Sequence, residues 1–499
     1  MKNIKKKSIL LALSLTFIGF NSCNESRLDV EPGFPTEDSY FAEEIEFTRA
    51  VYGIYAKMTD FYWYNAGQDN FVTPIWYLTG DDITTTGQDE FEIFSNIQPG
   101  SGRLNYYFRA LYQMISRANV VLEKNAVVED GIYVTPGLKD AHRGEALFLR
   151  GYGYFTLWNI WGTAPLITER LKSLDNTKPE SSTGNQLLDQ AIADFTEAAT
   201  LLPDSWPAID RGRVFKSSAN GMLAKALVFR GTVTGNAADY QAAITAADKI
   251  TDRVLVPAFD DNFAADTENN EESLFEYQAT QAFATDNIWL PNDFDNAVGA
   301  LSVFWGFYNN AFNMFGKPTF IATTKLRDVF DADDPRLQLS LDPGTLEFRK
   351  YVTRDQLNQN GGGSANNPRI LRYADVLLLE AEALNESGGS TTEAINLINQ
   401  IRARARGAGT APADRDNTVT DRDLIRQWIM DERLMELSGE GQRWIDVRRW
   451  ALAGFITPDN AFFSSAIPGD MGFQTKHLYM PIPTSETDAN VNITQNPGY

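Results

Sequence analysis

The stretch AEALNESGGSTTEAINLINQIRARA (residues 381–405) decides the fold class, because its pattern is that of two helices joined by a tight turn. Small and apolar residues recur every three or four positions before and after Gly388 and Gly389, which is the spacing of a helix with one buried face. The glycine pair interrupts the helical pattern. The stretch therefore predicts a helical hairpin, and AADYQAAITAADKI (residues 237–250) has a similar composition.

The same helical periodicity extends over most of the chain. Both hairpin stretches are like the tetratricopeptide pattern, in which helical hairpins stack into a solenoid. We therefore predict a mainly α fold, with tetratricopeptide-like helical hairpins forming a solenoid scaffold and long loops that contain minor β structure. The predicted helices cover residues 41–59, 103–125, 138–161, 185–202, 216–232, 238–251, 371–386, 391–406 and 421–452.

Three long segments lack this periodicity, namely residues 60–102, 252–320 and 453–499. Structureless loops of more than about 15 residues are usually functional or disordered. The first two segments are rich in Trp, Tyr and Phe, whereas disordered segments contain few aromatic residues. We therefore expect these two loops to pack on the helical scaffold and to build its working surface.

The N-terminus has the pattern of an export signal. Lysines within residues 2–7 precede an apolar run over residues 9–20, and small residues follow. The run is shorter than the roughly 20 residues of a membrane span. Cys23 is the only cysteine, so it cannot form an internal disulfide. Because Phe20-Asn21-Ser22-Cys23 resembles a lipobox, we predict that Cys23 is lipidated; the alternative is an ordinary cleaved signal with an incidental cysteine.

Composition excludes several classes of function. The net charge of −22 repels nucleic acid and anionic membrane surfaces, so we predict no nucleic-acid partner. The only histidines, His142 and His477, lie far apart in sequence, which argues against a zinc site and a Ser-His-Asp triad. We expect no cofactor. The acidic stretches FDADDPRL (residues 330–337) and FDDNFAADTENNEE (residues 259–272) lack calcium-loop spacing, so we expect solvated loops, with a calcium site as the alternative.

Three motifs in the C-terminal third carry a resemblance to a known family. They are NNPRILRYADVLLLEAEALNESG (residues 366–388), ERLMELSGEGQRWIDVRRWAL (residues 432–452) and LYMPIPTSETDANVNITQNPGY (residues 478–499). Upstream segments, beginning with SRANVVLE (residues 116–123), follow in the same order. The chain resembles the SusD/RagB family over nearly its whole length, from about Asp38 onward.

The resemblance implies a fold, a location and a function. SusD-like proteins are α-helical lipoproteins with tetratricopeptide-like units, anchored on the outer surface of Bacteroidetes cells. They cap a SusC-like TonB-dependent outer-membrane transporter and help to capture glycan for import, without catalytic activity. For this chain the resemblance implies a lipoprotein signal over residues 1–22, a lipidated tether over residues 23–37 and a single domain over residues 38–499. It also implies an oligo- or polysaccharide ligand, and membrane contact through the lipid anchor only.

The charged residues of the motifs point to structure rather than chemistry. Arginines alternate with large apolar residues, and glutamates precede them at helical spacing. We interpret these groups as buried Arg–carboxylate forks that join helices. Acid–base chemistry is the alternative, but arginines would keep the acids ionised. The residues concerned are Arg443, Arg448, Arg449, Glu380, Glu382, Glu386, Glu432, Glu436 and Glu440.

A glycan site needs exposed aromatic rings to cover the C–H face of a sugar, together with polar side chains that bind its hydroxyls. The loops over residues 60–102 and 252–320 contain both residue types, and Trp305, Trp289 and Trp76 are the first candidates. Core packing is the alternative for every aromatic residue. The remaining candidates are Trp63, Tyr64, Asn70, Tyr77, Asp81, Asn292 and Tyr308. We predict core positions for the tryptophans of helical motifs, Trp158, Trp161, Trp428, Trp444 and Trp450.

Three other functions remain open. The resembled family includes members that import peptides, so a RagB-type oligopeptide cargo is one alternative. An exported glycoside hydrolase would need two carboxylates about 5–10 Å apart on facing loops, and no such pair stands out. A scaffold without a ligand would use its concave helical face for a protein partner alone.

Overall fold

The computed structural model describes residues 40–62, 72–85, 88–173, 177–280, 299, 320–351, 366–464, 467 and 469–499. The predicted signal, the predicted tether and Cys23 lie outside these ranges. Within them, every helix is too short or too polar to span a membrane.

Helices dominate the first half of the structure and confirm the periodicity of the sequence. The predicted helices over residues 103–125 and 138–161 begin and end within two residues of the observed ones. Asn236 shows why one helix begins where it does, because its side chain accepts a hydrogen bond from the backbone N–H of Ala238. The helices are α1 (Glu44–Ala56), α2 (Thr59–Tyr62), α3 (Pro74–Tyr77), α4 (Glu90–Ile93), α5 (Gly102–Val127), α6 (Leu138–Trp161), α7 (Gln186–Leu201), α8 (Lys216–Thr234) and α9 (Ala237–Ala247).

The second half contains the hairpin that decided the fold class. Gly388 has a φ of 78° between its two helices, and the Ser390 hydroxyl caps the second one by accepting a hydrogen bond from the backbone N–H of Glu393. The helices of this half are α10 (Thr324–Val329), α11 (Pro335–Ser340), α12 (Tyr373–Glu386), α13 (Thr391–Arg406), α14 (Arg422–Leu437), α15 (Arg443–Leu452), α16 (Asn460–Ser464) and α17 (Thr484–Ala489).

Consecutive helices pack against each other along the chain. Helix α5 packs on α6, α6 on α7, α7 on α8, α8 on α9, and α12 on α13. Because α9 also packs on α12, the hairpins of the two halves form one stack. This arrangement confirms the mainly α fold with tetratricopeptide-like hairpins.

Helix α6 lies in the middle of the stack and is buried along most of its length. Its glycines allow neighbouring helices to approach closely. A methyl group at Gly151 would come within 3.0 Å of the Phe195 ring, and one at Gly153 within 2.9 Å of Ile115. The small residues of the GYGYF stretch therefore serve helix packing.

In the described part of the chain, two small antiparallel sheets supply the minor β structure. Strand β1 (Ile83–Thr85) pairs with β3 (Phe320–Ala322), and β2 (Ser273–Glu276) pairs with β4 (Arg369–Arg372). Each pair joins segments that are far apart in sequence. The sheets therefore connect the long loops to the helical scaffold.

Three sequence predictions need correction. The predicted helix over residues 421–452 is two helices, because Gly439 and Gly441 have φ values of 72° and 77° between α14 and α15. The helix predicted from residue 371 begins after β4 instead. Short helices lie in loops that we predicted to be irregular, and the segment over residues 453–499, for which we predicted no helix, contains α16, α17 and a 3₁₀ turn (Thr475–Leu478).

Most of the predicted Arg–carboxylate forks are confirmed, but most partners come from distant segments. Glu436 accepts hydrogen bonds from Arg336 (2.9 Å) and Arg372 (2.7 Å), and it also contacts Arg404. These residues belong to a buried group that we call the Glu436 cluster, in which five acids face five bases. Its members are Glu272, Asp334, Glu432, Glu436, Glu440, Arg336, Lys350, Arg372, Arg402 and Arg404.

A second buried group, the Asp375 cluster, joins α8, α12, α14 and α15. Asp375 binds Lys225 and Arg433, each at 2.7 Å, and Arg433 also binds Asp446. Arg449 binds both Asp446 and Glu382. Three acids thus face three bases without access to solvent.

Two of the predicted forks have a different environment. Arg448 lies between the rings of Trp158 and Tyr479, 4.7 Å from each ring centre, and no carboxylate pairs with it in the described part of the chain. Burial lowers the pKa of Arg448 to about 10. Glu380 likewise has no arginine partner among the described residues, whereas Glu386 pairs with Arg426 at 2.7 Å.

Candidate ligand-binding site

Most of the predicted glycan-binding residues lie outside the described residues. Trp76, Tyr77 and Asp81 are described, and the structure places all three beside α15 or the turn before it. The predicted residues outside the described ranges are Trp63, Tyr64, Asn70, Trp289, Asn292, Trp305 and Tyr308.

Tyr77 and Asp81 are buried and occupied by protein partners. The Tyr77 hydroxyl donates a hydrogen bond to the backbone oxygen of Gly439 at 2.8 Å. Asp81 pairs with Arg443 and Lys325, which, against the effect of burial, hold the pKa of its carboxyl below the ordinary value. These contacts argue against the prediction that either side chain binds sugar hydroxyls. Both side chains instead join the first loop to the C-terminal helices.

Trp76 is half-buried and lines a small aromatic recess with Tyr62 and Tyr107. Its ring centre lies 5.2 Å from that of Tyr107 and 6.1 Å from that of Tyr62. The recess has a volume of about 70 Å³. This volume is well below the roughly 300–1,000 Å³ that is typical of ligand sites, so the recess alone does not form a site for a glycan.

A larger groove lies elsewhere on the described surface. It has two lobes, which we call the Trp206 lobe (about 410 Å³) and the Tyr52 lobe (about 470 Å³). Ligand sites typically have volumes of about 300–1,000 Å³, so each lobe is large enough. The lobes share Gly212, Arg213 and Glu276. We call this pair of lobes the groove.

Arg213 forms the boundary between the lobes. Its guanidinium carbon lies 3.6 Å from the Trp206 ring centre and 5.5 Å from the Tyr52 ring centre. Glu145 on α6 accepts two hydrogen bonds from it, at 2.9 and 2.7 Å. Burial opposes the charge of Arg213, but the Glu145 carboxylate outweighs that effect and raises the pKa of Arg213 above its ordinary value. The central helix therefore holds the arginine in place.

Two aromatic residues flank Arg213 and remain accessible. Trp206 is half-buried, and its ring N–H donates to the backbone oxygen of Val214 at 2.8 Å. Tyr52 on α1 is 43% exposed, and its hydroxyl donates to Asp210 at 2.8 Å. Cation–π contacts with Arg213 and these hydrogen bonds orient both rings. Each lobe thus has at least one oriented aromatic ring.

Amide side chains line the groove beside the rings. Asn269 and Gln278 exchange two hydrogen bonds of 2.9 Å through their amide groups. Asn270 and Thr267 line the Trp206 lobe as well. Such groups can donate to and accept from sugar hydroxyls. The arrangement therefore suits a ligand with many hydroxyl groups.

Among the titratable groups that line the Trp206 lobe, Glu268 has the pKa that is shifted most toward neutral pH. Burial raises the pKa of Glu268 to about 7, while the backbone N–H of Asn367, 2.7 Å from its carboxylate, opposes the shift.

No group of three or more His, Cys, Asp or Glu in the described ranges is placed to hold a metal ion. Within the acidic stretch over residues 330–337, Asp334 caps α11 and pairs with Arg336.

The two aromatic residues of the groove, Trp206 and Tyr52, were not among the residues predicted from the sequence. Trp206 follows the end of α7 in PDSWP (residues 203–207), so a tryptophan between two prolines was an available signal. Tyr52 lies on a helix, outside the stripe formed by Val51 and Ile54, and its exposure could have been inferred from that phase. Part of the predicted binding loop does line the groove, namely residues 253, 266–271, 273–278 and 299.

Two family models match separate parts of the chain. One, described as the SusD family, matches residues 342–499, and the other, described as starch-binding and associating with the outer membrane, matches residues 37–227. The chain belongs to the SusD family. Both matches fall on described helices of the stack, and the SusD model covers the C-terminal motifs.

Relatives and solved structures of the SusD family match nearly the whole chain. SusD-like protein P2 of Formosa agariphila is 26% identical over 99% of this chain and 100% of its own. A structure described as a laminarin binding SusD-like protein has a TM-score of 0.72 at 24% identity, covering 92% of this chain and 100% of that one. Surface glycan-binding protein A from Bacteroides thetaiotaomicron in complex with laminarihexaose has a TM-score of 0.70 at 20% identity, covering 91% and 99%. These likenesses show the shared SusD fold.

Proposed function

We propose that this chain is a non-catalytic glycan-binding protein that captures oligo- or polysaccharide at the outer membrane. The observation that carries the proposal is the pair of oriented, accessible rings, Trp206 and Tyr52, in a groove lined by amides. Aromatic faces cover the C–H face of a sugar ring, and the amides bind its equatorial hydroxyls. The family description and the glycan ligands of the structural neighbours support the same conclusion.

The location and the partner form part of the proposal. Lipidation of Cys23 would anchor the protein, because each buried CH₂ contributes about 0.8 kcal/mol and two or three chains hold firmly. Residues 1–22 would then be the signal and residues 23–37 the tether. We further propose that the anchored protein faces the cell exterior and delivers glycan to a SusC-like TonB-dependent transporter. The family description of outer-membrane association supports this location.

The predicted loop residues remain candidates beside the groove. Trp305, Trp289 and Trp76 are the first of these, and Trp63, Tyr64, Asn70, Asn292 and Tyr308 follow. Variants of the loop residues and of the groove residues therefore belong in one experiment.

Affinity gel electrophoresis tests the proposal. Native gels would contain laminarin, starch, other neutral and acidic polysaccharides, or no polymer, and the protein would start at residue 24. We expect at least one polysaccharide to retard the protein. Trp206→Ala and Tyr52→Ala should reduce the retardation, and Trp305→Ala and Trp289→Ala test the loops.

Trp428→Ala is the matched control, because Trp428 is also half-buried beside an arginine but lies outside the groove. Thermal melting would verify that each variant folds. Failure of every polymer to retard the folded protein would contradict the proposal and favour oligopeptide cargo or a scaffold role. Retardation lost only in Trp305→Ala or Trp289→Ala would place the site on the loops instead of the groove.

A further inference from the structure

We propose that the groove selects uncharged glycan chains, with one sugar on Trp206 and another on Tyr52, and that its carboxylates exclude sulfated and uronate-containing chains. This inference rests on the proposed function and names the substrate class of the same site. Its evidence is the position of the two rings and the distribution of charge along the lining.

The two rings lie on opposite sides of one guanidinium group. Trp206 lines one lobe, Tyr52 lines the other, and Arg213 contacts both rings. A single sugar cannot cover both rings, because Arg213 stands between them. A ligand that uses both must therefore be a chain that crosses the boundary between the lobes.

Among the described residues, acids outnumber bases along the lining by five to three, although Glu276 pairs with Arg369 at 3.5 Å and Asp210 with Arg213 at 3.6 Å. Two of the three arginines already have a carboxylate partner outside the lining: Arg213 pairs with Glu145, and Arg253 pairs with Asp252 at 3.1 Å. Arg211 is the remaining lining arginine, and no ion pair to it is seen in the described part of the chain. The lining acids are Asp210, Asp266, Glu268, Glu271 and Glu276.

This distribution of charge disfavours an anionic ligand both inside the groove and before it reaches the protein. Within the groove, a sulfate or a uronate would approach the exposed carboxylates of Asp266 and Glu271 with little free positive charge to compensate. At longer range, the net charge of −22 repels a polyanion before contact. Neutral hydroxyl groups avoid both effects. Asn269, Asn270 and Gln278 can bind such hydroxyls without a charged partner.

Polymers with matched backbones test the charge selection. Laminarin, dextran and starch would each be compared with their chemically sulfated forms by affinity gels and tryptophan fluorescence titration, at low salt and at 0.5 M NaCl. We expect at least one neutral polymer to bind at least tenfold more tightly than its sulfated form at low salt. The difference should shrink at high salt, because the Debye length falls to a few Å.

Two variants locate the selectivity in the groove. Asp266→Asn with Glu271→Gln removes exposed charges from the lining and should improve binding of the sulfated polymer about three- to tenfold at low salt, with little change for the neutral one. Glu393→Gln with Asp488→Asn removes the same charge from exposed positions outside the groove. This control pair should improve binding of the sulfated polymer clearly less than the pair in the groove does.

Chain length tests the two-ring part of the proposal. Trp206→Ala and Tyr52→Ala should each weaken binding of a long neutral chain about tenfold. A disaccharide should depend on one ring alone. Equal dependence of disaccharide and polymer on both rings would overturn this part.

The outcomes separate this inference from the proposed function. Equal or tighter binding of a sulfated polymer at low salt overturns the inference and leaves glycan capture intact. Binding of no polysaccharide, neutral or sulfated, overturns both. Binding of oligolysine in place of any polysaccharide also overturns both and identifies the groove as a site for basic peptides.

Discussion

At the scale of the residue, buried acids differ in whether the fold supplies a counter-charge. Glu380 on α12 has none, and burial raises the pKa of its carboxyl to about 7, with Asp248 and Glu393 adding to the rise. The folded protein therefore binds this proton more tightly than the unfolded chain, where the ordinary value is 4.5. The resulting stability is complete below about pH 4.5 and is lost as the pH rises through about 7.

Glu380→Gln should therefore stabilise the protein at pH 8 and have little effect at pH 4.5. We expect a gain of about 1 kcal/mol in the free energy of unfolding at pH 8, after allowance for partial solvent screening. Urea denaturation at both pH values would measure it. Glu386→Gln is the control on the same helix, because it loses the pairing with Arg426 and should reduce stability at pH 8. A loss of stability in Glu380→Gln at pH 8 would contradict the assignment.

Single residues also show how far sequence reasoning reaches. The spacing of Glu432, Glu436 and Glu440 predicted buried forks correctly, because helical periodicity is visible in the sequence. Their partners Arg336 and Arg372 come from elsewhere in the chain, and no local pattern encodes that meeting. Aromatic composition could not separate a core ring such as Tyr77 from a surface ring, since both satisfy the same pattern.

At the scale of the element, the C-terminal segment over residues 473–499 binds along α6 and α15. Arg448 donates a hydrogen bond to the backbone oxygen of Leu478 at 2.6 Å. The ring N–H of Trp161 donates to the backbone oxygen of Pro481 at 3.0 Å. The buried Asn496 amide donates to the backbone oxygens of Trp161 and Met480, at 2.8 and 2.7 Å. The segment thus covers the buried end of the central helix.

Asn496→Ala should reduce the free energy of unfolding by about 2 kcal/mol, because two buried carbonyl groups lose their donor. Urea denaturation would measure the change. Asn492→Ala serves as the control, since its amide makes one bond to the Lys178 backbone oxygen at an exposed position and should cost less than half as much. Equal effects of the two variants would show that the segment does not depend on the buried amide.

Elements were predicted well where their own sequence determines them. The long helices with an apolar stripe were placed almost to the residue, and the Gly388–Gly389 turn marked its hairpin. Strands β1 to β4 were not placed, because each has three or four residues and forms only when a distant segment pairs with it. The break between α14 and α15 was missed since apolar spacing resumes in phase after the two glycines.

At the scale of the whole molecule, buried ion pairs and a sheet join the two halves. Lys225 binds Asp375, Arg372 binds Glu272, and β2 pairs with β4. Separating the halves would leave each of these charges without its partner and would expose the surfaces that α9 and α12 bury against each other.

We therefore expect the fragments 40–341 and 342–499 not to fold when expressed separately, although a family model matches each of them. Circular dichroism and urea denaturation of each fragment would check this. The intact protein should unfold in one transition, with the same midpoint by tryptophan fluorescence and by circular dichroism. A cooperative transition of either isolated fragment would contradict this expectation.

The Glu436 and Asp375 clusters each contain equal numbers of acids and bases. This balance affects how closely copies of the protein can approach one another. Because neither cluster contributes net charge, the whole surplus of −22 belongs to the rest of the chain, where solvent and neighbours can sense it. Like-charged copies repel each other at distances up to about the Debye length, roughly 8 Å at physiological salt. Crowded copies would therefore keep a thin layer of water and counter-ions between them, and the groove would stay open to solvent even in a dense array.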